Sequence, residues 1–210
     1  VLAQMLSDFE ETLPHHDVVL FSDYGKGGLA HIPRMIELAR QAGKPVLVDP
    51  KGSDYARYAG ATLITPNRAE LTQVVGAWSD EATLVQRVES LRTALGLQAV
   101  LLTRSEEGMT LFNAAGHWHE PAQAREVYDV TGAGDTVIAT VATMLAAGLS
   151  MRDAMTLANR AGGIVAIVEL GGDRKKPTPN STAARDLCRR CHHLRSPHQT
   201  PACAPEVPSV

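Results

Sequence analysis

Residues Asp129-Val130-Thr131-Gly132-Ala133-Gly134-Asp135-Thr136 run straight into the apolar stretch Val137 to Leu149, and how they are read decides the architecture. Gly132 and Gly134 let the backbone come close to a bound group. The spacing predicts a helix over Gly132–Ala147, whose first amides have no partner within the helix. Those amides and the helix dipole together favour an anion. Asp135 lies in the first turn. A carboxylate there could take a proton from a substrate hydroxyl while the amides of Gly132, Ala133 and Gly134 hold a phosphoryl group in transit. The plainer reading is a glycine-rich turn with Asp135 as a favourable first-turn charge, and local physics leaves both open.

Outward from this stretch the chain alternates between two periodicities. Val18–Phe21, Pro45–Val48, Ala61–Ile64 and Ala99–Leu102 are short apolar runs suited to strands covered on both faces. Met109–Phe112 reads as a fifth strand, hairpin-paired to the fourth across Glu106-Glu107-Gly108. Helical stripes fall at Ile32–Ala42, Arg68–Val75, Glu81–Leu95 and Met151–Val168, with Gly43 closing the first and Asp80 capping the third. Strands alternating with helices predict an α/β fold, a largely parallel sheet flanked by helices.

Composition narrows the class. The chain has 210 residues, 44% hydrophobic and 20% charged, normal for one soluble domain and too apolar for wholesale disorder. Val137–Leu149 is interrupted by Thr140 and Thr143 and is too short to span a membrane. The first 16 residues lack a secretory-signal pattern, and a start at Val rather than Met suggests a fragment or processed chain. A net charge of −3 argues against a general nucleic-acid binder. A body without cysteine fits the cytoplasm weakly.

The charge is split. Residues 173–210 carry seven Lys+Arg against three Asp+Glu, with all three cysteines and six of the 12 prolines. The expected division is therefore residues 1–172 as an α/β body and residues 173–210 as a basic, Pro-rich, disordered tail, with only Ser181–Arg190 able to form a short helix. Cys188-Arg189-Arg190-Cys191-His192 matches a haem-attachment pattern, and His193, His198 and Cys203 add ligands enough for zinc. Neither reading is favoured: haem attachment needs export, and zinc modules carry regular spacing in a folded unit.

The octapeptide 129–136 resembles the C-terminal signature of the ribokinase-like (PfkB) carbohydrate kinases, in which G-A-G-D supplies the anion hole and the base. Asn67-Arg68-Ala69-Glu70 is similar to that family's N-x-x-E motif, and Thr103-Arg104-Ser105-Glu106-Glu107-Gly108 resembles its strand end and turn beside the nucleotide. Ser22–Gly27, Val48–Gly52, Leu63–Asn67 and Glu126–Thr131 look like the heptose-7-phosphate kinases within the family. The resemblance covers roughly Asp17 to Leu170. It implies ATP-dependent phosphorylation of a heptose 7-phosphate at the anomeric hydroxyl, with Asp135 as base and Mg²⁺ near Glu70. It further implies nucleotide contacts from Asn67, Arg68, Ala69, Glu70, Thr103, Arg104 and Gly108, and sugar contacts from Asp23, Lys26 and Lys51. Asp129 and Thr131 would help hold a monovalent cation.

Structural alternatives remain for several of these. Asn67 and Glu70 could form a plain capping box, Asp49 and Lys51 a structural turn, and Lys26 and Arg104 solvated charges. Family kinases also carry about a hundred further residues before the point matching Val1, including much of the sugar site and a lid. Without them the chain is a partial domain with an exposed sheet edge, so a homo-oligomer is one form it could take. A kinase for another sugar or a nucleoside, and an inactive nucleotide-binding fragment, are the other readings.

Overall fold

Val46, Leu47 and Val48 are each wholly buried, which a strand achieves only with cover on both faces. In the computed structural model, which describes residues 2–122 and 132–168 (side chains through 163), they belong to a six-stranded sheet. Its strands are β1 (Val19–Ser22), β2 (Val46–Asp49), β3 (Leu63–Ile64), β4 (Ala99–Thr103), β5 (Met109–Asn113) and β6 (Gly116–Glu120), and they lie side by side in chain order. β1 to β4 are parallel, and β4–β5–β6 are antiparallel. The mostly parallel α/β sheet read from the sequence is therefore the observed one.

The period-two alternation of side chains sorts the core into two layers. Val46, Val48, Ile64, Val100 and Leu102 face one side, where they meet α2 (Ile32–Gln41), α3 (Arg68–Val75) and α4 (Glu81–Ala94). Leu47, Leu63, Ala99 and Leu101 face the other, under α5 (Ala133–Ala146) and α6 (Met151–Val168). The parallel strands all deliver their C-terminal ends to one edge of the sheet, where ligand sites of α/β proteins form. β5 starts, and β6 ends, at that same edge.

Two elements were not anticipated from the sequence. The helix α1 (Leu2–Thr12) packs Met5, Leu6 and Phe9 on the first core layer, with the rings of Phe9 and Phe21 6.0 Å apart. β6 is an edge strand of mostly exposed, polar residues, anchored by Trp118, and nothing in its hydropathy marks it as a strand. The third strand is also shorter than read, two residues instead of four. Thr62 still joins β2, its amide donating to the Val46 carbonyl at 2.8 Å and its Oγ1 accepting from the Val46 amide at 2.9 Å. Asp129, Thr131, the 173–210 tail and its cysteine motif lie outside the described residues. No described helix is long and apolar enough to cross a membrane.

Candidate active site

Gly132 caps α5 in the left-handed region, φ 78°, which a residue with a Cβ reaches only under strain. That turn starts the helix on the wall of a cleft of about 720 Å³, which the strand-end residues Asp49, Thr65 and Thr103 also line. Gly132, Ala133, Gly134 and Asp135 all line it, and Asp135 is exposed to it. A Cβ added at Gly134 would meet nothing within 4 Å, so the backbone there borders open space.

The opposite wall comes from the N-x-x-E segment. Asn67 caps α3, its Oδ1 accepting from the Glu70 amide at 2.9 Å, while Glu70 Oε2 accepts from the Asn67 amide at 3.0 Å. The capping box weighed from the sequence is thus formed, and it fixes both side chains at the cleft rim. Glu70 Oε1 takes the Lys51 ammonium at 3.0 Å. That hydrogen bond, and then the charge behind it, holds Lys51 above the usual lysine range. Arg68 and Ala69 line the cleft as well, as do Thr103 and Gly108. Thr103 is bound to the same segment, its amide donating to the Pro66 carbonyl at 3.0 Å. Gly108, at φ 98°, lets the turn before β5 lie against the Glu120–Ala122 chain, where a Cβ would collide with the Glu120 carbonyl oxygen.

Other predicted positions sit differently. The Arg104 side chain is only 11% exposed, and its guanidinium is taken up by Glu81 at 2.9 Å and Glu107 at 2.8 Å. It supports the turn from behind and does not line the cleft. Asp23 is buried away from the cleft: Oδ1 accepts from the Gly25 amide and Oδ2 from the Tyr58 hydroxyl, both at 2.8 Å. Lys26 is exposed and does not line the cleft.

Thr65, Ser105 and Asn159 line the cleft without having been assigned a role from the sequence, and Asp49, read there as either a turn or a site residue, lines it too. Asp49 ends β2 and is half-buried. Burial pushes its carboxyl up to about 6, helped by the negative charges of Glu70 and Asp135, while Lys51 and a hydrogen bond to Thr65 pull the other way. Asn159 is a buried polar residue among the apolar positions of α6, and its Nδ2 donates to the Pro121 carbonyl at 2.8 Å. A lone polar residue on that apolar stripe was the available signal for it. Among the described residues no three His, Cys, Asp or Glu side chains group closely enough to hold a metal directly.

Residues 6–178 match the family described as pfkB family carbohydrate kinase. The chain belongs to that family. It is 58% identical over 153 residues to the D-beta-D-heptose 7-phosphate kinase of Bordetella bronchiseptica, an alignment covering 73% of this chain and 49% of that one. It is 52% identical over 180 residues to the bifunctional protein HldE of Aeromonas hydrophila, covering 85% of this chain and 38% of HldE. The chain thus spans about half, or less, of the curated relatives it matches. Among solved structures, Arabidopsis thaliana ribokinase complexed with ribose and ATP superposes with a TM-score of 0.68 at 24% identity, over 77% of this chain and 53% of that one. Phosphofructokinase-2 from Escherichia coli, in complex with substrates and products, gives 0.65 at 16%, over 77% and 55%. These likenesses establish the ribokinase-like fold of this pfkB-family chain.

Proposed function

We propose that this chain carries the nucleotide and base half of a heptose 7-phosphate kinase. The reaction transfers the γ-phosphoryl group of ATP to the anomeric hydroxyl of D-glycero-β-D-manno-heptose 7-phosphate. The product is the 1,7-bisphosphate, used to make ADP-heptose for the lipopolysaccharide core. The observation that carries this reading is the meeting of Asp135 and the first amides of α5 with the Asn67–Glu70 wall in one cleft. The 58% identity to a named heptose 7-phosphate kinase supports the acceptor.

In this reading Asp135 accepts the proton of the acceptor hydroxyl as its oxygen bonds to the γ-phosphorus, and the bond to the bridging oxygen of ADP breaks. The amides of Gly132, Ala133 and Gly134 face the charge gathering on the phosphoryl oxygens. Asn67, Arg68, Ala69, Glu70, Thr103 and Gly108 border the space for the nucleotide, and Arg104 acts from behind the turn. Asp23, Lys26 and Lys51 stand on the loops after β1 and β2, toward the sugar side.

The donor set in the cleft is carboxylate oxygen from Asp49, Glu70 and Asp135, which suits a hard cation such as Mg²⁺. With no three of them grouped closely, Glu70 would hold it through water and the nucleotide's phosphates. When bound, the ion would neutralise charge on the phosphate tail. A monovalent cation near Asp129 and Thr131 belongs to the same reading, as does a cytoplasmic setting, where ATP is supplied.

ADP release, assayed with heptose 7-phosphate and with hexose phosphates and nucleosides as rival acceptors, tests the substrate. The Asp135→Asn chain should lose turnover by at least about 10²-fold while still binding nucleotide. Turnover equal to the parent's would remove Asp135 from its role. Nucleotide binding with no ADP release on any acceptor would leave the chain a binding fragment.

A further inference from the structure

The loops after β1 and β2 are joined by a phenol that does not line the cleft. Tyr58 ends the short turn Tyr55–Tyr58 and is wholly buried. Its hydroxyl donates to Asp23 Oδ2 at 2.8 Å and accepts from the Lys51 amide at 3.1 Å. Asp23 uses its other oxygen on the Gly25 amide at 2.8 Å. Arg57 closes the group: its guanidinium lies 3.4 Å from Asp23, donates to the Leu29 carbonyl at 2.7 Å, and sits over the Tyr58 ring. Lys51 then extends its ammonium to Glu70, which is locked to Asn67. Hydrogen bonds therefore link the loop at Gly25 through Tyr58 to the Lys51 main chain, and the Lys51 side chain carries the connection on to the cap of α3.

We propose that Tyr58 is a positioning residue: through Asp23 and the Lys51 main chain it holds the Lys51 ammonium against Glu70 at the cleft. The geometry fits this role better than a filler's. A ring alone would occupy the same space, as Tyr55 illustrates. Its ring packs 5.6 Å from that of Tyr58, yet its hydroxyl is buried with no hydrogen-bond partner among the described residues. Burial pushes the Tyr58 phenol up to about 12, so it stays a donor to Asp23 at any ordinary pH. Lys51 matters to the cleft because it offsets Glu70 beside Asp49 and Asp135. Without it the wall repels a polyphosphate more strongly.

The inference rests on the kinase reading for its functional consequence, and the test separates the two. Using the full 210-residue chain, affinity for a fluorescent ATP analogue with Mg²⁺ is measured for the parent, Tyr58→Phe, Lys51→Met, the double variant, and Tyr55→Phe as control. Amide hydrogen exchange of segments 23–29, 50–54 and 67–70 is followed in the same proteins. Tyr58→Phe should weaken binding about fivefold, the worth of one net hydrogen bond. The double variant should be no weaker than Lys51→Met alone, and exchange should quicken in those segments only. Tyr55→Phe should change neither reading. Effects of Tyr58→Phe and Lys51→Met that multiply, or parental affinity in Tyr58→Phe, overturn the proposal. If the parent binds no nucleotide, the kinase reading fails; unchanged exchange in Tyr58→Phe then overturns the positioning role, and faster exchange confined to the three segments supports it.

Discussion

Asp49 carries the pH dependence of the cleft. Its carboxyl sits near 6 in the folded chain against about 3.9 in an unfolded one. Folding therefore favours its protonated form. That contribution is complete below the unfolded value and is lost as pH climbs through about 6. Asp49→Asn escapes the loss, so its thermal midpoint should exceed the parent's at pH 7.5 and the gap should narrow by pH 5. A gap that widens toward acid would reverse the assignment. Gly132 sets a backbone demand at the same scale. Alanine at φ 78° costs roughly 1–2 kcal/mol, so Gly132→Ala should lower the unfolding free energy by about that much and disturb the amides beside Asp135. The roles of such residues were unevenly legible in the sequence. The glycine spacing and the aspartate three residues into a helix announced themselves. Asp49, at a strand end, could be either turn or site until its neighbours across the cleft were known. For Arg104 the sequence held no sign that Glu81, 23 residues away, would occupy its guanidinium.

At the scale of elements, α3 shows how a cap and a site share atoms. Asn67→Ala removes one side of the reciprocal cap and should destabilise the chain by about 1 kcal/mol in denaturant unfolding. It should also let Glu70 move, so nucleotide affinity should fall along with stability. Loss of stability with affinity intact would show that the cap and the binding wall are separable. Helix ends read well from sequence because their punctuation is local: Asn67, Asp80 and Gly132 each sit where the chain enters a helix. α1 was missed from the sequence although its signal is there, since Leu2, Met5, Leu6 and Phe9 recur at helical spacing. β6 has no such signal. Its residues Gly116-His117-Trp118-His119-Glu120 are polar and mostly exposed, and it is a strand because β5 pairs with it, a nonlocal cause.

Across the whole molecule, the sheet begins at β1, whose outer edge has no partner strand among the described residues. Leu20 on that strand is 37% exposed, and Tyr24 just beyond it 63%. An open, partly apolar edge invites pairing. The chain should self-associate with rising concentration in sedimentation velocity, and Leu20→Lys should shift it toward monomer. A parent that stays monomeric at high concentration would show the edge to be covered.

Among the described residues the one basic side chain lining the cleft, Arg68, is engaged by Glu107 at 3.0 Å, and Lys51, outside the lining, by the cleft residue Glu70. A bare triphosphate entering there would therefore face acids with no idle positive charge among the described residues to greet it. The cleft should act as a filter on net charge, admitting the nucleotide only as its divalent-ion complex. Chelating the ion should abolish binding outright, where a site built on spare lysines would merely lose some affinity.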